Sequence, residues 1–150
     1  MESGARRPRS GCLVRLAGPT EYSRVIEIVE IGFGAPDSKD AVEEFRRRLE
    51  EARQFAILAF VGGDAVGCLA ADVADKVIIY NLAVLPEHRR RGVAAELVEG
   101  AVAIIRATCQ PESYWVAVHP DRSEGVQRFR RLGFSFKRYC RGYQLMRRSG

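Results

Sequence analysis

Several features that would assign a class outright are scarce in this chain of 150 residues, and each shortage excludes something. The longest apolar runs, such as Phe55 to Val61, fall far below the ~20 residues a membrane helix requires, so no membrane partner is expected. Cysteine occurs only at Cys12, Cys68, Cys109 and Cys140, with no CxxC pair and with 2 histidines in the whole chain. That spacing argues against zinc and against a disulfide framework, and no metal is expected. No apolar secretory segment is evident, so a cytoplasmic protein with free, mostly buried thiols is the expectation. Paired thiols, as in hyperthermophile cytosols, stay open. Lysine is scarce too, since 21 of the 24 basic residues are arginine.

What is present describes one domain. With 47% hydrophobic and 29% charged residues the chain is neither disordered nor collagen-like. At this length a single core buries roughly 68–70% of the unfolded surface, so folding needs no metal or disulfide, and a soluble globular protein is expected. Residues 1–11, with Arg6, Arg7, Arg9 and Pro8, read as a disordered basic leader, and 12–150 as one domain. The net charge of +5 favours anionic partners, whether nucleic acid, acidic protein or phosphorylated cofactor, and does not choose among them.

Periodicity supplies the element order. Cys12 to Leu16 reads as a strand, and Pro19-Thr20 opens a helix carrying Val25, Ile28, Val29 and Phe33. Ser38 caps a second helix with Val42, Phe45 and Leu49 on one face. Phe55–Val61 and Ala65–Val73 form a hairpin about Gly62-Gly63-Asp64. Val77–Leu85, apolar on both faces, is expected at the centre of the sheet. A helix follows from about Gly92 to Thr108, then a strand at Tyr114–Val118. A helix from Ser123 to Leu132 has Gly133 as its cap, and strands at Phe134–Cys140 and Tyr143–Met146 close the chain. The order β-α-α-β-β-β-α-β-α-β-β predicts an α/β fold, a mixed, mostly antiparallel central sheet flanked by helices on both faces.

The segment with chemistry in it is Asn81-Leu-Ala-Val-Leu-Pro-Glu-His-Arg-Arg-Arg-Gly-Val-Ala94. A strand ends, a short loop turns, and a helix begins with its unpaired N–H groups and positive dipole end facing outward. Gly92 allows backbone to approach an anion, Ala94 keeps the next contact small, and Arg89, Arg90 and Arg91 add charge: a diphosphate cradle.

Arg89-x-x-Gly92-x-Ala94, with the strand–Pro approach Leu82 to Pro86 and the late Leu132-Gly133-Phe134, resembles the acetyl-CoA signature of the GNAT superfamily of N-acetyltransferases. The element order resembles that family's over nearly the whole chain after the leader, and Asn81-Leu-Ala-Val is most like enzymes of the ribosomal-protein alanine N-terminal type. The resemblance implies acetyl-CoA as co-substrate and a primary amine, a protein N-terminus or a small amine, as acceptor, acetylated by direct attack. It implies that backbone at Leu82, Ala83 and Val84, at a strand bulge, bonds the pantetheine arm and offers an amide to the thioester carbonyl. Amides from Arg90 through Gly92, Val93, Ala94 and Ala95 would hold the pyrophosphate. With the Gly and Ala spacing in place, a nucleic-acid patch is not expected. A homodimer stays open.

Three positions depart from the family's pattern. The tyrosine expected four residues before the glycine of Leu-Gly-Phe is Phe129, which still falls beside the cofactor but has no proton to give. A glutamate expected twelve residues earlier is Ala117, and an expected asparagine is Arg122. The alternative function is therefore a non-catalytic acyl-CoA-binding module. Substitute groups are His119 as base, by its ordinary pKa of ~6.5, and Tyr139, Tyr80 or Tyr143 as proton donors. His88 reads as surface or phosphate-side and Trp115 as core, while Asp37 and Asp40 are available to a cationic acceptor. A site without a strong base favours α-amines over lysine.

Overall fold

Side chains that alternate between core and surface build the sheet strand by strand. The computed structural model describes residues 11–32, 39–51, 54–73, 76–118 and 123–149; the expectations placed on residues 1–10, Phe33, Asp37, Ser38, His119 and Arg122 lie outside the described residues. Strand β1 (Cys12–Leu16) buries Cys12 and Val14 and leaves Leu13 and Leu16 outside. Strands β2 (Gln54–Val61) and β3 (Asp64–Val73) meet at Gly62 and Gly63, with φ of 59° and 87°. Both are left-handed, as the tightest right-twisted hairpin requires. Strand β4 (Val77–Val84) leads to helix α3 (Val93–Thr108), then β5 (Ser113–Val118), helix α4 (Ser123–Arg131) and the hairpin β6 (Ser135–Cys140) to β7 (Tyr143–Ser149). Helices α1 (Tyr22–Gly32), entered through a 3-10 turn at Pro19–Glu21, and α2 (Lys39–Glu50) lie between β1 and β2. The expected order holds. The largest difference is β7, which runs beyond Met146 because Arg147 and Arg148 pair with Trp115 and Tyr114 of β5.

Among the described residues the sheet has seven strands in the order β1-β2-β3-β4-β5-β7-β6, and every neighbouring pair is antiparallel except β4 with β5. Successive residues of β2 point to opposite cores. Ile57 and Ala59 join α3 and α4 through Leu97, Ala101, Ile105, Val126 and Phe129. Ala56 and Leu58 join α1 and α2 through Val25, Ile28, Phe45 and Leu49. The helices therefore cover both faces. β4 is central in position but not buried throughout: Ile78 is 37% and Tyr80 43% exposed. Trp115, expected in the core, is half-buried, with its indole N–H donating to Ser113 Oγ at 2.8 Å. The helices α1 and α2 lie over β2, β3 and β4.

Two glycines let α3 press against the sheet. A Cβ on Gly67 of β3 would stand 3.1 Å from both Val93 and Leu97, and one on Gly100 would stand 2.7 Å from Val14 Cγ1. Val14 is fully buried and β-branched, so it has little rotamer freedom to yield. At the start of α1, Arg15 binds Glu21 through both carboxylate oxygens at 2.7 and 2.8 Å, and the Gly18 N–H donates to the same carboxylate at 3.0 Å. These bonds hold the Glu21 carboxyl down at about 2, below its ordinary 4.5.

Gly100→Ala is expected to destabilise the fold by about 1–3 kcal/mol in urea unfolding, although alanine is the better helix former, because the overpacking outweighs the propensity gain. Val14→Ala in the same chain should recover part of the loss. The Glu21 contribution is complete above pH 4.5 and is lost as pH falls towards about 2, the sign expected of a depressed carboxyl pKa. With Arg15 41% exposed the pair is worth about 1 kcal/mol at most, and Glu21→Gln should remove that acid-side slope from the stability–pH curve.

Candidate active site

The site begins where two parallel strands stop pairing. β4 and β5 are in register only at Val77 with Tyr114, Ile78 with Trp115 and Ile79 with Val116. β4 nevertheless continues to Val84 and β5 to Val118. On its other edge β4 stays paired with β3, with a register shift: Ala71 faces Ile79 and Ala70 faces Asn81, which leaves Tyr80 as the extra residue. Such a bulge bends its strand and increases the local twist. The bulge expected at Leu82–Val84 is thus centred one turn of the pleat earlier, while Leu82, Ala83 and Val84 pair regularly with Leu69, Cys68 and Gly67. Their β5-facing edge has no strand partner among the described residues.

Beyond β4 the chain is pinned and then turned. The Leu85 N–H donates to Val66 O at 2.8 Å, Pro86–His88 form a 3-10 turn, and Arg89 Nε donates back to Val84 O at 3.1 Å. Arg90 and Gly92 then adopt left-handed backbone, with φ of 64° and 80°. Left-handed residues in a turn can bring successive N–H groups to one concave side. Gly92 is the N-cap of α3 and provides no side-chain cap, and the first ladder bond is Glu96 N–H to Gly92 O at 3.0 Å. The amides of Val93, Ala94 and Ala95 therefore have no partner within the helix. Beyond its two chain neighbours, no heavy atom among the described residues lies within 4 Å of where a Gly92 Cβ would be.

These amides open on a cleft of about 520 Å³, within the usual size of a small-molecule site. One wall is the loop and helix mouth: Val84, His88, Arg89, Arg90, Gly92, Val93, Ala94 and Ala95. The other is α4, through Gln127, Arg128, Arg131 and Leu132. The expected residues Arg89, Arg90, Gly92, Val93, Ala94, Ala95 and Val84 thus come together, and His88 joins them with Nδ1 buried and without a hydrogen-bond partner among the described residues. Arg91 is exposed and does not line the cleft. The α4 wall escaped sequence reasoning. Its only signal was that Gln127, Arg128 and Arg131 lie on the polar face of a helix whose apolar stripe is Val126 and Phe129.

Phe129 is not at the cleft. It is 8% exposed in the α3–α4 core, packed edge-on against Phe134 with ring centroids 5.4 Å apart. Tyr139 is 68% exposed on the outermost strand, beside Phe136, and does not reach the cleft; Tyr143 shares that hairpin. Ala117 lies exposed on β5. Of the tyrosines considered as donors, Tyr80 is on the strand that borders the cleft, at the bulge, with the Arg48 guanidinium 5.0 Å from its ring. Burial and the neighbouring Asp72 charge hold its proton more firmly than in an ordinary phenol. All four cysteines are free; Cys12 and Cys68 are buried, Cys109 half-buried and Cys140 exposed, so burial holds for two of them. Burial pushes the Cys68 thiol up to about 12.

Residues 22–134 match the family model of the acetyltransferase (GNAT) family. The chain belongs to that family. It is accordingly an acyltransferase of the GNAT type, with the mixed, mostly antiparallel sheet and flanking helices of that fold. Among curated proteins none matches it in sequence. Solved structures with the same fold include the PaiA N-acetyltransferase of Thermoplasma acidophilum in complex with coenzyme A, at 16% identity over 93% of this chain and 99% of that one, TM-score 0.76. Another is the ribosomal-protein-S18-alanine N-acetyltransferase of Escherichia coli, at 16% identity over 92% and 93%, TM-score 0.76. A third is Naa50 of Arabidopsis thaliana with the bisubstrate analogue CoA-Ac-MVNAL, at 13% identity over 93% and 99%, TM-score 0.72. None of the described helices is long and apolar enough to cross a membrane.

Proposed function

We propose that this GNAT protein is an acetyl-CoA-dependent N-acetyltransferase acting on a primary amine by direct attack, with the α3 mouth as its carrier site. The observation that carries the reading is the set of unpartnered amides at Val93, Ala94 and Ala95, turned into one cleft by left-handed Arg90 and Gly92. The residues fit acetyl-CoA: an anion-seeking cradle with open space at Gly92, and beside it a strand edge, Leu82 to Val84, that no described strand covers and that an extended amide-bearing arm could line. The coenzyme A complex of the Thermoplasma relative and the bisubstrate complex of Naa50 support the same group.

Bound acetyl-CoA supplies an activated acetyl thioester. The chain's own part is to hold and orient: amides 90–95 and Arg89 take the diphosphate, and an N–H of the Leu82–Val84 edge faces the carbonyl, where preorganised donors contribute most. Direct attack fits the thiols. Cys68, opposite Ala83 in the sheet, is the cysteine beside this strand, and its raised pKa keeps it protonated and unreactive. Tyr80 keeps its proton at neutral pH and is the donor on the bordering strand.

With Ala117 in place of a carboxylate, the acceptor must arrive largely deprotonated. An amine of pKa ~10.4 is under about 0.1% neutral at pH 7, whereas an α-amine near ~8 is about a tenth neutral. At pH 7, peptides with free α-amines should be acetylated about 100-fold faster than N-blocked lysine peptides, read as kcat/KM by thiol release. The lysine rate should climb about tenfold per pH unit to pH 9, and the α-amine rate should flatten above ~8. Lysine peptides outpacing α-amines at pH 7, or no thiol release from any amine, would overturn the reading. For the cradle, Gly92→Glu should abolish coenzyme A binding in calorimetry by placing a carboxylate among the phosphate-seeking amides. Unchanged binding would refute the site.

A further inference from the structure

Positive charge in the cleft exceeds what a diphosphate needs. Arg89 and Arg90 stand on one wall, Arg128 and Arg131 on the other, and no carboxylate lines either among the described residues. Five arginines outside the cleft, Arg15, Arg24, Arg47, Arg48 and Arg148, are each paired with a glutamate. Arg90, Arg128 and Arg131 have no such partner among the described residues. Unpaired cations gathered in a concavity repel one another, so their common orientation costs stability unless an anion joins them.

The amount and position of the charge indicate which anion. A diphosphate diester carries about two negative charges, and the α3 amides with Arg89 and Arg90 already answer it. Arg128 and Arg131, three residues apart on α4, are neighbours on one helix face and stand across the cleft from those amides. A phosphomonoester adds about −1.5 to −2 charge near neutral pH and presents three acceptor oxygens, which suits two guanidinium forks. Coenzyme A carries one such group, on the 3′ position of its ribose.

We propose that Arg128 and Arg131 recognise the 3′-phosphate of coenzyme A, making α4 the wall that distinguishes coenzyme A from its 3′-dephospho form. The proposal rests on the carrier reading of the cleft. It goes further by giving a helix absent from the sequence motif a specificity role.

The test is calorimetric titration of the full chain with coenzyme A and, separately, with 3′-dephospho-coenzyme A. Wild type should prefer coenzyme A by about 10–100-fold. Arg128→Gln/Arg131→Gln should bind coenzyme A only as well as the dephospho form, and should keep its affinity for the dephospho form within about threefold of wild type. Retained binding of that second ligand also shows that the variant is folded. Arg130→Gln, on the same helix but away from the cleft, should keep the full preference. Equal affinity of wild type for the two ligands, or equal loss of both in the double variant, overturns the proposal and leaves the carrier site intact. Failure of wild type to bind either ligand overturns both.

Discussion

Everything at the site depends on two parallel strands that pair for three residues and then separate. β4 and β5 share a register only from Val77 to Ile79, after which the bulge at Tyr80 turns β4 away while its other edge remains bonded to β3. A fully paired sheet would bury the Leu82–Val84 edge under a neighbour. Separation leaves that edge available, and it also brings α3 and α4, which follow the two strands, to opposite sides of the opening. The carboxyl ends of parallel strands are where α/β sheets generally place ligands. Here one short parallel pair in an otherwise antiparallel sheet creates that position.

Charge is distributed with the same logic. On the outer surfaces of α1 and α2, arginine and glutamate alternate at helical spacing and neutralise one another, as with Arg24 and Glu27 or Arg47 and Glu44. In the cleft, Arg90, Arg128 and Arg131 have no carboxylate partner among the described residues. The arginine-rich composition thus includes one set paired with glutamate on helix faces and another gathered where backbone dipoles converge. The cleft needs no metal to attract a polyanion. Helix N–H groups and guanidinium forks provide both the field and the geometry.

Much of this was legible in the sequence, and the remainder has identifiable causes. The strands and helices could be ordered because hydrophobic period changes coincide with glycines that must be left-handed, Gly62-Gly63 between β2 and β3, Gly92 before α3 and Gly133 after α4. The α3 half of the cleft is local, a strand–loop–helix within fifteen residues, so its residues could be named. The α4 half depends on how far β5 diverges from β4, a long-range property with no local signature. Phe129 went the other way. Its spacing from Val126 places it on the buried stripe of α4, and a motif position expected beside the cofactor is a core residue instead. Trp115 is a large aromatic that composition would place inside, yet it is half-buried on β5, while α1 and α2 lie over β2, β3 and β4.

The tight seating of α3, with Gly67 and Gly100 admitting Val93, Leu97 and Val14 at near-contact distances, has a consequence for timing. For the proposed carrier site, the reorganisation that would otherwise accompany capture of a flexible carrier would be completed during folding, because the helix that presents the amides is already clamped. Arrival would then resemble docking to a finished surface, with the entropy lost on association falling mainly on the incoming molecule.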